Sequence, residues 1–600
     1  MKRLLLLPLL LTLAKAEVVL EPLVVTGANN SQQLVANLPE NVSIITAEDL
    51  EKSHATTLTE ALNRLAGIAF SSNGGLGTST SFYLRGFDSK RTLVLIDGIR
   101  YNDPTGLNGA EIQHITLDEI ERIEIIKGAQ SGIWGADASA GVINIITKAS
   151  KKGYHMSAKT EHGTYGLQKY IATASYKNDL INIKLSASQL ETTGISAAES
   201  KLGDLNFGTR GLDAGFEADG YKNNSNSLKL GYQISSKHYL ELSANTISTY
   251  TEYDDGSADD NDTKFSTINN IFYQALYTFE NENSELKIAY KASHFDRNFD
   301  NLSPYTGAVS EWIVTERING DKEDFILLGA SSQEFSQDKS GSTDLNANYQ
   351  TNSIFGSNYN KIDNTIVSES IRIDSYNSFD NTVTGKLGIK QSINDNLALK
   401  LNLASGYNVP TLNQLFASYG NPLLSPESTL SSDITFEISK FKLTYFYNEI
   451  TDMIAWEGVG YTNILGQSIL QGTEITYSAD LIKTINLGLN YTYLNAKDAD
   501  GFTLARRPEH QADLRLTYAP RKEFSLLTHI QYIGTRYELA DNQGAQTGEY
   551  TLINLVANYN INKKLKAYIK VDNLFDTFYQ VVDGYGTAGL SGYIGLSASY

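Results

Sequence analysis

The feature that most limits how this chain can fold is a change of period near Tyr154. From there to Tyr600 apolar and polar residues alternate. Leu228, Leu230, Tyr232 and Ile234 interleave with Lys229, Gly231 and Gln233, and Leu487, Leu489, Tyr491 and Tyr493 with Gly488, Asn490 and Thr492. Lys566, Tyr568 and Lys570 do the same with Ala567, Ile569 and Val571. Successive side chains of a strand point to opposite faces, so a period of two describes strands between two different environments. Beyond the amino terminus no stretch approaches the length of apolar residues that a spanning helix needs. The mature chain is therefore either soluble or crosses a membrane as strands. A β-helix or propeller would also alternate, but would show a repeat length, and none is visible.

The two ends favour a membrane. Lys2 and Arg3, the apolar run Leu4 to Leu13 and the small-x-small tripeptide Ala14-Lys15-Ala16 read as a signal peptide over residues 1–16, with the mature chain starting at Glu17. At the other end Ile594, Leu596, Ala598 and Tyr600 share one face and Gly595, Ser597 and Ser599 the other. Aromatics at 10%, with 36 Tyr, 22 Phe and 47 Gly, suit strands that show lipid only every second residue. With no cysteine there is neither a disulfide framework nor a thiolate metal site. A net charge of −19 argues against nucleic acid as a partner.

Ahead of the alternating region lies a compact α/β unit. Thr57-Leu58-Thr59-Glu60 reads as a capping box, Leu58, Ala61, Leu62 and Leu65 as one helical face, and Gly67 as the stop. Thr46 to Asp49 repeats the Thr-x-x-acid signature before a second, shorter helix. Ile120, Ile123, Ile125 and Ile126 predict a buried strand ending at Lys127-Gly128. Still earlier, the β-branched patch Leu20 to Thr26 could be the first strand of this unit, or an extended peptide awaiting a partner's sheet edge.

Enzyme signatures are missing: there is no Gly-x-Ser-x-Gly elbow, no phosphate-binding loop and no His-Glu-x-x-His, and the eight histidines are scattered. This predicts that the protein is not an enzyme. Two acidic clusters stand out, Glu217 to Tyr221 and Tyr253 to Asp262. Such clusters are commonly solvated loops, but carboxylates gathered on loops also bind hard cations such as calcium.

Three motifs in order, Leu84-Arg85-Gly86, Val94-Leu95-Ile96-Asp97-Gly98 and Gly141-Val142-Ile143-Asn144-Ile145-Ile146-Thr147, resemble the plug of the TonB-dependent outer-membrane receptors. The closing strand with its terminal aromatic resembles the assembly signal of outer-membrane barrels. Asn73 to Gly77, Tyr419 to Glu427, Gly534 to Tyr537, Asn573 to Asp576 and Tyr585 to Gly589 resemble, within that family, its cobalamin transporters. The resemblance implies an all-β transmembrane barrel of about 22 antiparallel strands with an N-terminal α/β plug inside the lumen. Such strands need about 9 to 11 residues each. The implied divisions are a periplasmic segment at 17–37, a plug at 38–149 and a barrel at 153–600.

It further implies a monomeric active transporter in the outer membrane of a Gram-negative bacterium, surrounded by outer-membrane lipid and driven by the inner-membrane partner TonB. The TonB box would be Glu21, Pro22, Leu23, Val24, Val25, Thr26 and Gly27. Cargo, cobalamin or alternatively an iron chelate, would meet Ser71, Ser72, Asn73, Gly74, Gly75, Thr78 and Ser79 on one plug tip. On the other it would meet Tyr101, Asn102, Asn108 and Gln113. Calcium would be held by Glu217, Asp219, Asp254 and Asp262. The chain departs from the family after Thr193-Gly194, where Ile195-Ser196 stands in place of an aspartate; either Asp204 compensates or one of two ions is weakened or missing. A passive porin is the rival from another class, but a porin has no use for a plug or a pairing strand.

Overall fold

The computed structural model describes Val24–Val25 and residues 33–600, apart from 107, 255–263 and 321–323. Period two is realised as one closed barrel of 22 antiparallel strands, each hydrogen-bonded to its neighbours in chain order. A hairpin of Arg536–Leu539 and Gln543–Thr547 stands outside this order, in a connection between barrel strands. Closure comes from the two ends of the alternating region: Gly153–Gly163 pairs with Ser591–Ser599 in the register Ser157↔Ser599 to Gly163↔Tyr593. The closing strand turns Ile594, Leu596 and Tyr600 outward and exposed.

The two faces sort as the alternation requires. Leu230, Tyr232, Ile234 and Ile569 are exposed on the outer wall. Lys229 points inward to Asp97 (Nζ–Oδ2, 3.1 Å), and the buried Lys570 to Glu60 (Nζ–Oε2, 3.2 Å). Most of the strands are longer than membrane crossing demands, although the range runs from 8 residues (Leu565–Asp572) to 22 (Tyr461–Ile482). At about 3.3 Å per residue the longest far exceeds an apolar layer of roughly 30 Å, so the wall continues beyond it. Short turns such as 178–180, 236–237 and 522–523 lie at one end, and long connections such as 193–220, 409–426 and 573–590 at the other.

The preceding unit contains a five-stranded mixed sheet in the order Asn41–Thr46, Ile120–Lys127, Gly141–Thr147, Thr92–Ile96, Ile99–Arg100. Only the pairing of Gly141–Thr147 with Thr92–Ile96 is parallel. A second sheet joins Ile68–Ser72, Thr80–Leu84 and Phe87–Asp88. This unit fills the lumen: Phe70, Phe82, Ile123 and Ile143 share one buried core with Phe272, Phe295, Phe446 and Leu470 of the wall. A lumen packed in this way is at odds with an open passive channel.

The helices differ from expectation in two respects. Thr46 and Asp49 form a complete capping box before Ala47–Ser53, and this helix of 7 residues is the longer of the two. The other, Leu58–Leu62, keeps the bond from Glu60 N–H to Thr57 Oγ1 (3.3 Å), while the Glu60 carboxylate accepts the Thr56 N–H (2.8 Å) instead of closing a box. It ends well before Gly67. That glycine, at φ +75°, answers to the wall: a Cβ there would lie 2.1 Å from Glu474 Oε1.

Candidate functional site

The site is assembled at the long-loop end, where the two plug tips meet the loops. Ser71 and Thr78 are buried, Ser72, Asn73, Gly74 and Gly75 half-buried, and Ser79 exposed. Ser71 Oγ lies 3.0 Å from Tyr83 Oη, and Thr78 donates to Gly75 O (2.8 Å). Among the described residues of the second tip only Asn108 is exposed. Asn102 is committed to the plug backbone, accepting the Val94 N–H (2.8 Å) and donating to Thr92 O (3.0 Å). Tyr101 is buried and donates to Glu111 O (3.4 Å), and Gln113 is buried with its Oε1 unpartnered. Next to it His114 Nδ1 meets Tyr221 Oη (3.0 Å), and burial lowers the imidazole to about 4, so it is neutral at pH 7. Arg297 of the wall faces this tip and pairs with Glu111.

Glu217, Asp219 and Asp254 converge from two loops, each offering a carboxylate oxygen within 4.8 Å of the others. Asp219 accepts the Ala197 N–H and Asp254 the Ala198 N–H, both at 2.6 Å. One oxygen of Glu217 is buried without a hydrogen-bond partner. The donor set is all carboxylate oxygen, the chemistry that calcium prefers. Asp262 lies outside the described residues. Asp204 is exposed in its own turn, accepting the Lys201 N–H (2.8 Å), and is not part of this group.

Of the amino-terminal segment, Val24–Val25 pairs with Gln33–Leu34 in a two-residue antiparallel ladder separate from the plug sheets. Glu21, Pro22, Leu23, Thr26 and Gly27 lie outside the described residues.

A third group was not singled out by sequence reasoning as a site. Two buried charge networks bind the plug to the wall. Arg85 contacts Glu474 through Nε (3.1 Å) and Nη2 (3.2 Å) and Asp433 through Nη1 (3.1 Å), and Lys127 Nζ reaches Glu474 at 3.1 Å. Arg91 holds Glu427 through two bonds (2.6 and 2.7 Å) and shares Asp88 with Arg507. Burial opposes ionisation of Asp88, but the pull of Arg507 and then of Arg91 holds its carboxyl well below the usual range. Arg85 sits in Leu84-Arg85-Gly86, so that much of the signal was present. The partners Glu474, Asp433 and Glu427 are ordinary inward positions of long strands and carry none.

Two family models match the chain: a TonB dependent receptor-like β-barrel over residues 163–574, and a TonB-dependent receptor plug domain over 35–142. Among curated relatives, it is 27% identical over 599 residues to the vitamin B12 transporter BtuB of Photobacterium profundum, covering 95% of this chain and 94% of that protein. It is 25% identical to BtuB of Vibrio cholerae, covering 96% and 95%. Among solved structures, the ferric enterobactin receptor PfeA of Pseudomonas aeruginosa superposes with a TM-score of 0.79 at 18% identity, covering 93% of this chain and 99% of that one. The siderophore receptor PirA of Acinetobacter baumannii also scores 0.79 at 18% identity, covering 93% and 98%. At these identities the structural likeness speaks to fold alone.

Proposed function

The chain belongs to the TonB-dependent receptors and is an outer-membrane transporter of a Gram-negative bacterium, and from that premise we propose that its cargo is a cobalamin. The observation that carries this reading is that neither tip, Ser71 to Ser79 or Tyr101 to His114, contains a lysine or arginine. The imidazole of His114 is uncharged at pH 7, and the guanidinium facing the second tip, Arg297, is neutralised by Glu111. Ferric catecholates are strongly anionic, and desolvating one on such a surface would leave its charge uncompensated. A large amphipathic ligand held by backbone and amide groups meets no such penalty. The names of the curated relatives agree with this reading.

Calcium belongs to the same proposal. Glu217, Asp219 and Asp254 would hold it, supplying fixed positive charge that draws the loops 193–220 and 253–264 together over the cargo. Glu21 to Gly27 would act as the TonB box. Its only described pairing is two residues long, so a partner's sheet edge could capture the segment at small cost. Force applied there would have to break the buried ion networks that seat the plug before the plug could move. The domain divisions 17–37, 38–149 and 153–600 accompany this reading, the last plug strand ending at Thr147 and the first barrel strand starting at Gly153.

The test is a titration of the purified protein with cyanocobalamin and with ferric enterobactin, with and without added calcium. Tight calcium-dependent binding of cyanocobalamin alone is expected. Binding of the ferric chelate with none of the corrinoid would overturn the cargo and leave the family intact.

A further inference from the structure

The first plug tip is roofed. Residues 194–200, in the loop 193–220, have no regular secondary structure, yet every one is buried, with Ala197 and Ala198 fully so. The segment lies directly on the tip. A Cβ built on Gly74 would meet Ala197 Cβ at 2.9 Å, and one on Gly75 would meet Ile195 Cγ1 at 3.1 Å. The glycines at the tip therefore permit close approach of this loop.

A buried irregular segment must find partners for its backbone, and here they come from two sides. On one side Asp219 N–H donates to Ile195 O (2.9 Å), while the Asp219 and Asp254 carboxylates take the Ala197 and Ala198 N–H groups. On the other side lies the connection 573–590: Gly586 N–H donates to Ala197 O (2.9 Å), Glu199 N–H to Gly584 O (2.9 Å), and the Gln580 amide to Ser200 O (2.9 Å). Arg210 fastens the same two loops, donating to Thr587 O (3.1 Å), Thr577 O (3.2 Å) and both Asp576 O (3.3 Å) and Oδ1 (2.9 Å).

We propose that Ile195–Glu199 is a selectivity gate seated on the plug tip, which a ligand must displace to reach Asn73 to Gly75. It rests on the transport reading above and adds to it a segment that decides admission. The chemistry it presents to the tip is apolar, through Ile195 and Ala197, so a ligand able to replace those apolar contacts displaces it at least cost. A small or strongly hydrated solute does not. The seam with 573–590 is the side that can open, because a few hydrogen bonds around the buried carboxyl of Glu199 hold it.

The chain has no cysteine, so single thiols report cleanly. Gly75 is not at positive φ and takes a side chain once Ile195 Cγ1, 3.1 Å from the new Cβ, gives by a few tenths of an ångström, whereas Gly74 at φ +118° does not. In the full-length purified protein, Gly75→Cys is expected to react with a polymer-linked maleimide about tenfold or more slowly than Asn108→Cys, at the exposed position of the second tip. Adding Arg210→Ala should bring Gly75→Cys close to the Asn108→Cys rate. Oxidised Gly75→Cys/Ile195→Cys should lose binding of whichever probe, cyanocobalamin or ferric enterobactin, the natural protein binds, and regain it with dithiothreitol. Equal labelling of Gly75→Cys and Asn108→Cys in the otherwise natural chain would overturn the gate, as would undiminished binding by the oxidised pair. If Arg210→Ala fails to fold, the disulfide pair decides alone. Slow labelling with no binding of either probe would uphold the gate and refute the cargo.

Discussion

Glu474 is the wall residue whose loss should do most damage to the seating of the plug. It is 2% exposed and faces two cations, Arg85 through two contacts of 3.1 and 3.2 Å and Lys127 through one of 3.1 Å. Glu474→Gln keeps the volume, so no cavity opens and the loss is electrostatic. Arg85 keeps Asp433 at 3.1 Å and the ring of Phe446 at 4.7 Å, while Lys127 keeps only the carbonyl of Ala66 at 2.8 Å. Removing one partner of a buried charge network costs about 3–5 kcal/mol. With a urea slope of about 2 kcal/mol per M, the plug should unfold at about 1.5–2.5 M less urea. Trp134, in the plug helix Ser131–Trp134, reports this directly once Trp312 and Trp456 of the wall are changed to Phe. Asp433→Asn should cost less, because Asp433 offers Arg85 a single bond and Asn402 another (2.9 Å). A midpoint unchanged in Glu474→Gln, or lowered more by Asp433→Asn, would refute the assignment of Glu474 as the hub.

Removal of Glu21 to Gly27 should abolish uptake while leaving binding of ligand to whole cells intact, and retained uptake would exclude this segment as the energy input. Asp219→Asn and Asp254→Asn should each weaken calcium binding by about tenfold or more, measured by calorimetry on the purified protein. Burial pushes the Glu199 carboxyl up to about 7 against the opposing pull of Arg210, whose own charge is shared with Asp576. Since an exposed glutamate titrates near 4.5, the folded loop binds the proton more tightly than the unfolded one. The contact between residues 195–200 and 573–590 should then be firmest below about pH 4.5, weaken as pH rises to about 7 and level off above it. Hydrogen exchange of the Glu199 amide, corrected for its intrinsic rate, should follow that course and lose it in Glu199→Gln.

Most of the architecture could be read from the chain because its physical cause is local. Alternation at Leu228 to Ile234 follows from the pleat alone, and the pairing of Ser599 with Ser157 from the need to leave no free edge. The helix at Leu58 was misjudged at its end for the opposite reason. Gly67 carries the residue type of a helix stop, yet it is glycine because Glu474, more than 400 positions later, presses against it. Strand length was underestimated because the bilayer sets only a minimum, and the wall of Tyr461–Ile482 is shaped by what lies above it. At the site, Glu217, Asp219 and Asp254 were named through the family resemblance, since acidic density alone also describes a solvated loop, whereas Asn102 looked like a ligand contact and is tied to Thr92 and Val94. An amide that caps a strand and one that awaits a ligand are the same in sequence.

The departure at Ile195-Ser196 has a physical counterpart in the acidic group beside it. Three carboxylates within 4.8 Å repel one another by about 3.5 kcal/mol or more per pair at an effective permittivity of 20. A fourth acid at position 195 or 196 would add to that load. The chain instead brings two backbone N–H groups, of Ala197 and Ala198, onto Asp219 and Asp254 at 2.6 Å. N–H donors lower the cost of gathering the carboxylates without occupying the point where they converge. They come from the segment that covers Gly74 and Gly75, so the charge state of the acidic group and the position of the roof are mechanically linked. Whatever draws Asp219 and Asp254 toward a cation also acts on the two amides that hold the roof over the plug tip.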